Sequence, residues 1–288
     1  MSRGSSGDKG ASTLFLIVLL ILGAAGTVGL KLKLEGFDRA QVRGASIVYL
    51  PSGQGARLTS LGYESVLADL IYLWAIQYYS DKGIPDRYRN LDRIFGVIAE
   101  LDPHYEDPYL TGALIAVYEA RDLDLAFKML DRGMEKNPGE WLFPFEAGHY
   151  ALLFKKDYDL ARKYFKRAMD LPGAPAITRR LYADASFRTQ DLDAAWKTWQ
   201  DVFQSAPDER VKKVASNHLY QVKAARDTER IASAVRDFKG RFHRLPMNLS
   251  QLVRSGFLPN LPLDLDGQDY LYDPQTGEVK SATIPWKR

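Results

Sequence analysis

Cysteine is absent from the 288-residue chain, so neither a disulfide nor a thiolate metal site is available to it. The four histidines are scattered, and none stands at the spacing of metal ligands. The net charge of +3 is too close to neutral for a chain that binds nucleic acid as a whole. The composition, 46% apolar and 26% charged, is that of an ordinary folded protein. The sequence therefore predicts no metal site and no nucleic-acid partner.

Familiar catalytic motifs are also missing. The sequence contains no Gly-x-Ser-x-Gly elbow, no His-Glu-x-x-His pair and no phosphate-binding loop. We therefore predict a protein without catalytic residues and without a cofactor. An enzyme of the cell envelope is the less favoured alternative, since a pair of catalytic carboxylates leaves little local signature.

One long apolar run lies near the start of the chain. Thr13 to Leu30 are eighteen residues without a charge, and Lys31 and Lys33 follow at once. A helix of that length rises about 27 Å, close to the roughly 30 Å of a bilayer's hydrocarbon core. We predict a flexible N-terminus over residues 1–12 and a transmembrane helix over residues 13–30. A cleaved signal peptide with Leu14–Leu22 as its apolar region is one alternative, and a buried helix of a soluble protein is another.

The charges around this run give two opposed indications of orientation. The basic residues after the run outnumber Arg3 and Lys9 before it, which favours a cytoplasmic body under the positive-inside rule. Those later residues are Lys31, Lys33, Arg39 and Arg43. Long domains, however, often cross the membrane regardless of flanking charge. We predict a single-pass protein of the cytoplasmic (inner) membrane of a bacterial envelope, with an extracytoplasmic, periplasmic body.

The middle of the chain repeats with a period near thirty-four residues. Alanines at 126, 161 and 195 each follow an Asp-x-Asp pair, and prolines recur at the same spacing at 103, 138, 172 and 207. Large apolar residues lie four positions beyond each alanine, and smaller apolar or glycine residues lie three positions further on. These are Leu130, Phe165 and Trp199, then Gly133, Ala168 and Val202. Spacings of four and seven place them on one helix face.

This pattern resembles the tetratricopeptide repeat (TPR) family over about residues 60–207. The third unit matches best, with Gly148, Tyr158, Ala161, Phe165, Ala168 and Pro172. The first departs most, because the longer loop Ser80–Arg87 follows its first helix, about Glu64–Tyr79. The resemblance implies a mainly α fold, a TPR-like α-solenoid of about four helix pairs over residues 61–207. One transmembrane helix would precede it, and a long helix and a small α/β hairpin tail would follow.

The repeated Asp-x-Asp pairs allow two interpretations. Carboxylates in such pairs are potential metal ligands. They also stand at the turn before each second helix, where a carboxylate accepts hydrogen bonds from the free N–H groups and complements the helix dipole. We predict helix caps.

In the family's register, the first helix of each unit lines a concave groove that holds a peptide or a partner's helix. This placement predicts partner-binding residues in the second, third and fourth units. They are Thr111, Ile115, Tyr118, Glu146, Tyr150, Arg180, Asp184 and Phe187. Alternating rings and charges suit a specific protein contact, although each residue could equally face water without a ligand.

The repeats are flanked by regions of different character. Residues 31–60 predict a connector with a short strand at Ser46–Leu50, and residues 208–240 predict a basic capping helix. Between Arg210 and Arg244, ten Lys/Arg stand against three Asp/Glu. This excess fits a contact with acidic lipid or an acidic partner, or simply a solvated face.

The tail, residues 241–288, predicts a small module of a short helix and a hairpin. Over about 45 residues it resembles the C-terminal end of type II secretion pseudopilins, although the N-terminus lacks the pilin glycine–glutamate processing pair. In that family a nearby loop can hold calcium. Asp264, Asp266 and Asp269 carry suitable oxygens but not a full ligand set, so turn residues are the preferred interpretation.

The anchor and the repeats together predict a membrane-anchored scaffold or assembly factor for an envelope complex, which binds proteins through its concave face. The alternative is a structural accessory subunit of a larger membrane machine, held by its transmembrane helix.

Overall fold

The computed structural model describes residues 7–35 and 50–283, with only the backbone for residues 7–16 and 34–35. This part is mainly helical, as predicted. Its α-helices are α1 (Gly7–Glu35), α2 (Gly53–Thr59), α3 (Glu64–Ser80), α4 (Leu91–Leu101), α5 (Glu106–Ile115), α6 (Leu123–Lys136), α7 (Leu142–Tyr150), α8 (Tyr158–Met169), α9 (Ala176–Arg188), α10 (Leu192–Gln204), α11 (Glu209–Phe242) and α12 (Ser250–Arg254). Two short strands, β1 (Leu271–Tyr272) and β2 (Val279–Lys280), follow them, and a 3₁₀ turn, Arg87–Asn90, precedes α4.

The chain divides into two compact units. The smaller comprises Met1–Leu50 and Gln77–Arg87, and the larger comprises Pro51–Ile76 and Tyr88–Arg288. In the smaller unit the rings of Tyr78 and Tyr79 meet edge to face, with centroids 5.1 Å apart. The strand predicted at Ser46–Leu50 lies outside the described residues, except for Leu50, which is not in a strand.

The prediction of a membrane location is contradicted. Among the residues that the structure describes, no helix combines the length and the apolar character needed to cross a membrane. Helix α1 extends past the apolar run into charged residues at both ends, and its part from Gly23 to Gly29 is mostly glycine, alanine and threonine. The predicted single-pass inner-membrane location was therefore wrong, and the transmembrane helix predicted over residues 13–30 is not confirmed.

In the larger unit, consecutive helices pack against each other in chain order. Helix α5 packs on α6, α7 on α8 and α9 on α10, while α8 also packs on α9 and α10 on α11. Large buried rings fill the helix contacts, among them Phe143, Phe165 and Trp199.

Glycine permits the closest of these helix contacts. A Cβ atom built on Gly133 would lie 2.5 Å from the Phe143 ring, and one on Gly148 would lie 2.6 Å from the Phe165 ring. A side chain larger than hydrogen would therefore push the helices apart. This finding explains why glycine stands at 148 in the best-matching repeat.

The first aspartate of each Asp-x-Asp pair caps the helix that follows. A side-chain oxygen of Asp122 accepts a hydrogen bond from the backbone N–H of Leu125 at 2.9 Å. Asp157 and Asp191 do the same three residues ahead, at 2.9 Å and 3.1 Å. The predicted capping role is confirmed.

Replacing Asp157 with alanine is expected to lower the free energy of unfolding by about 1 kcal/mol, because the N–H of Leu160 loses its acceptor. Urea unfolding of the full chain measures this change. Asp157→Asn keeps an oxygen at the same place and should retain most of the stability. Equal losses in the two variants would contradict the capping role.

Helix α11 joins the repeats to the tail. Asp208 caps it by accepting from the N–H of Val211 at 2.9 Å. The first half of α11 packs on α10, where Leu219 and Val222 meet Trp199. The second half forms the core of the tail. There Ile231, Ala234, Val235 and Phe238 pack with Leu249, Leu252, Leu258 and Tyr270.

The tail ends in a two-stranded antiparallel hairpin, in which Leu271 pairs with Lys280 and Tyr272 with Val279. The turn between the strands is closed by the N–H of Gly277, which donates to the carbonyl of Asp273 at 2.8 Å. Gly277 has a φ of +80°, a conformation that glycine adopts without strain.

Asp264 is a buried carboxylate that ties the tail to α11. It accepts hydrogen bonds from the hydroxyls of Tyr220 and Thr283, and from the backbone N–H groups of Asp266 and Gln268. All four partners are donors, so its oxygens are used within the protein. Burial raises the pKa of Asp264 and these hydrogen bonds lower it, with a net pKa below the ordinary value of 3.8.

The lowered pKa of Asp264 predicts a pH dependence of stability. Its stabilisation is fully present above the ordinary pKa of 3.8 and is lost as the pH falls through the lower folded-state pKa. The free energy of unfolding is measured between about pH 5 and about pH 3, a range that spans this pKa. Over that range it should fall more steeply for the native chain than for Asp264→Asn. Parallel curves would contradict this role.

Candidate partner-binding site

The first helices of two repeats end in a wide π-helical turn. Helix α5 continues as the π turn Ala116–Ala120, and α7 as the π turn Ala151–Lys155. Each turn is closed by a left-handed residue, Arg121 with a φ of 56° or Lys156 with a φ of 54°. The N–H of Asp122 then donates to the carbonyl of Ala116 at 2.8 Å, and Asp157 donates to Ala151 at 3.0 Å.

A one-residue difference in spacing accounts for these turns. Thirteen positions separate the buried Ala113 from Ala126, and thirteen separate Gly148 from Ala161. Only twelve separate Ala183 from Ala195. A π turn accommodates one extra residue in a helix, so it occurs in the two longer repeats, whereas α9 ends without one.

The π turns lie beside an exposed apolar surface. It consists of Leu114, Tyr118, Leu153 and Phe154, which are 50%, 56%, 58% and 43% exposed. We call these four residues the aromatic ridge. The rings of Tyr118 and Phe154 meet edge to face with centroids 5.4 Å apart, so the ridge joins two repeats. Large apolar side chains that remain exposed in a cluster are typical of a contact surface.

A cavity of about 330 Å³ opens beside the ridge, lined by Val117, Tyr118, Arg121, Leu123 and Phe154. Its size and lining suit one or two apolar side chains of a partner.

Basic residues border the ridge. Arg121 and Lys156 close the two π turns, and Lys155 lies over the Phe127 ring at 5.6 Å from its centroid. The acidic Glu119 accepts a hydrogen bond from the Tyr88 hydroxyl at 2.8 Å. Arg121 also lines the cavity, so its guanidinium is placed to meet an acidic group of a partner.

Three of the predicted residues lie together at this site. Tyr118 belongs to the ridge, and the Tyr150 ring packs against Phe154 with centroids 6.0 Å apart. Tyr150 is buried, however, so it supports the ridge rather than offering its own surface. Burial, then Glu146 and Tyr118, raise the pKa of Tyr150, and burial raises the pKa of Glu146.

Two further predicted residues lie on α5, earlier than the π turn. The hydroxyl groups of Thr111 and Tyr72 are hydrogen-bonded at 2.8 Å, so Thr111 contacts α3. Ile115 is half-buried at the end of α5.

The remaining predicted residues lie on α9 and form a separate group. Asp184 accepts a hydrogen bond from Arg188 at 2.8 Å, and the Arg188 guanidinium lies 5.0 Å from the centroid of the Tyr158 ring. Phe187 packs against the core between α9, α10 and α11, and Arg180 is half-buried. These contacts lie within α9 or join it to α8, α10 and α11, and none of them involves a residue of the ridge.

Comparison with known proteins gives no further assignment. No family model matches the chain, and no curated protein matches it. The tetratricopeptide resemblance therefore rests on the chain's own residues.

Sequence reasoning missed Leu114, Leu153 and Phe154. The tetratricopeptide register that placed the groove residues assumes no extra residue in the first helix of a unit. One extra residue rotates each later side chain by about 100° around the helix axis. The thirteen-residue spacing from Gly148 to Ala161 was the available signal.

Proposed function

We propose that this chain is a tetratricopeptide-like scaffold or assembly factor that binds a protein partner through the aromatic ridge. The observation that carries the proposal is the exposure of four large apolar side chains on two successive helix pairs, with Tyr118 and Phe154 in direct contact. Aromatic anchors beside a cavity supply most of the affinity in many protein interfaces.

Four features support the repeat assignment within this proposal. The alanines and prolines recur near every thirty-four residues. The helices pack in chain order, α6, α8 and α10 each have an aspartate cap, and Gly133 and Gly148 permit close contacts. Neighbour-by-neighbour packing of similar units is what a solenoid of about four helix pairs requires.

The site also indicates the chemistry of the partner. The cavity beside Tyr118 and Phe154 fits an apolar side chain, and Arg121 in its lining offers a cation to a nearby carboxylate. We infer that the partner offers a segment with apolar residues flanked by Asp or Glu.

Photo-crosslinking in cells tests this function. A benzoylphenylalanine placed at position 118 of the full chain should capture a discrete partner, with the crosslink in an apolar segment next to acidic residues. The same probe at Tyr63, which is 70% exposed and remote in sequence, is the matched control. Identical capture patterns from both positions, or no capture from position 118, would overturn the proposal.

A further inference from the structure

A second, basic pocket lies between α10 and α11. Its cavity of about 340 Å³ is lined by Trp196, Lys223, Arg226, Asp227 and Arg230. The four charged residues stand at spacings of three, four and seven along α11, so they share one face of that helix. Trp196 of α10 supplies an apolar wall. We call this set the basic pocket.

The charges in the basic pocket do not balance internally. Asp227 accepts hydrogen bonds from the Lys223 ammonium at 2.6 Å and from the Tyr270 hydroxyl at 2.8 Å. The Asp227 carboxylate is therefore already bound to Lys223 and to Tyr270 of the tail. Two guanidinium groups, those of Arg226 and Arg230, remain at the pocket.

Arg226 is held by a carboxylate that is itself mostly in solvent. Its Nη2 lies 3.0 Å from the Oδ1 of Asp193, whose side chain is 85% exposed. An ion pair this exposed contributes little net stability, so another carboxylate can replace Asp193 at small cost. Arg230 has no ion pair or hydrogen bond among the residues that the structure describes.

We propose that the basic pocket binds the carboxylates of an acidic peptide segment. Asp193 already shows a carboxylate bound to Arg226, and Arg230, one turn further along α11, is available for a second. Planar guanidinium groups bind carboxylates with two parallel hydrogen bonds. The site is concave and has a tryptophan wall, and ion pairs hold Lys223 and Arg226 in place. These features favour a peptide over a flat anionic lipid surface. The basic pocket lies on α10 and α11, whereas the aromatic ridge lies at the ends of α5 and α7. The proposal for the pocket therefore does not depend on the proposal for the ridge.

Fluorescence anisotropy with fluorescein-labelled hexaglutamate and the full chain tests this site. Arg230→Gln should weaken binding about tenfold, because a charge-assisted hydrogen-bond pair is lost. Arg210→Gln removes the same charge from the start of α11, outside the pocket, and should change affinity by less than about twofold. Asp193→Asn should tighten binding, since the competing internal carboxylate is gone.

Several results would overturn the assignment. Equal weakening by Arg230→Gln and Arg210→Gln would show general charge attraction. Weaker binding to Asp193→Asn would contradict the exchange of carboxylates. Displacement of the peptide by inorganic phosphate more readily than by free glutamate peptide, or Arg230-dependent binding only to phosphatidylserine vesicles, would assign the pocket to other anions.

Discussion

Replacing Tyr118 and Phe154 together with serine is expected to weaken binding of the crosslinked partner about a hundredfold. Both rings are large, exposed and in contact with each other, and both line the same cavity. Truncating a central aromatic anchor commonly costs about 2 kcal/mol or more, and the two losses are not expected to add fully. Isothermal titration of the purified partner into the full chain measures the change.

The matched control for this experiment is Tyr63→Ser combined with Met247→Ser. These side chains are 70% and 75% exposed and do not belong to the ridge. The control should bind the partner as the native chain does, and both double variants should keep the native circular dichroism and melting behaviour. A comparable loss in the control, or full affinity in the ridge variant, would place the partner elsewhere.

Replacing Asp264 with alanine is expected to lower the free energy of unfolding by about 3 kcal/mol. The variant leaves the hydroxyl of Tyr220, which is only 1% exposed, without its carboxylate acceptor. It also removes the acceptor for Thr283 and for the two backbone N–H groups of the turn. Urea unfolding, with limited proteolysis of the tail as a second readout, measures the effect.

The control is Asp269→Ala, an exposed aspartate of the same turn, which should change the free energy of unfolding by less than about 0.5 kcal/mol. Tyr220→Phe combined with Asp264→Ala should lose less than the sum of the two single losses, because the two side chains share one hydrogen bond. Equal effects of the Asp264 and Asp269 variants, or fully additive losses, would contradict the link between tail and α11.

Local features were the most predictable part of the fold. The capping role of Asp122, Asp157 and Asp191 follows from a side chain and an N–H group only three residues apart, so the sequence contains both partners. The apolar spacing after each alanine predicted helix faces for the same reason. The mainly α class was correct because these patterns extend over most of the chain.

The candidate site was less predictable, because one extra residue at the end of α5 and of α7 determines which side chains are exposed there. The π turns shift the ends of α5 and α7 against the family register. Tyr150 therefore became a buried support, while Phe154 became exposed. The spacing contained this information, but only the structure shows that a π turn absorbs the extra residue.

Long-range contacts were outside the reach of pattern reading. Nothing in the sequence around Asp264 indicates Tyr220, 44 positions earlier, as its partner. Asp193 and Arg226 likewise meet only once α10 packs on α11.

Hydrogen exchange of the full chain, alone and with its captured partner, tests the central claim most directly. The account predicts slower exchange on binding at residues 114–121 and 150–156, which contain the ridge and both π turns. Protection confined to other helices, such as α6 and α8, with unchanged exchange at the ridge would contradict it.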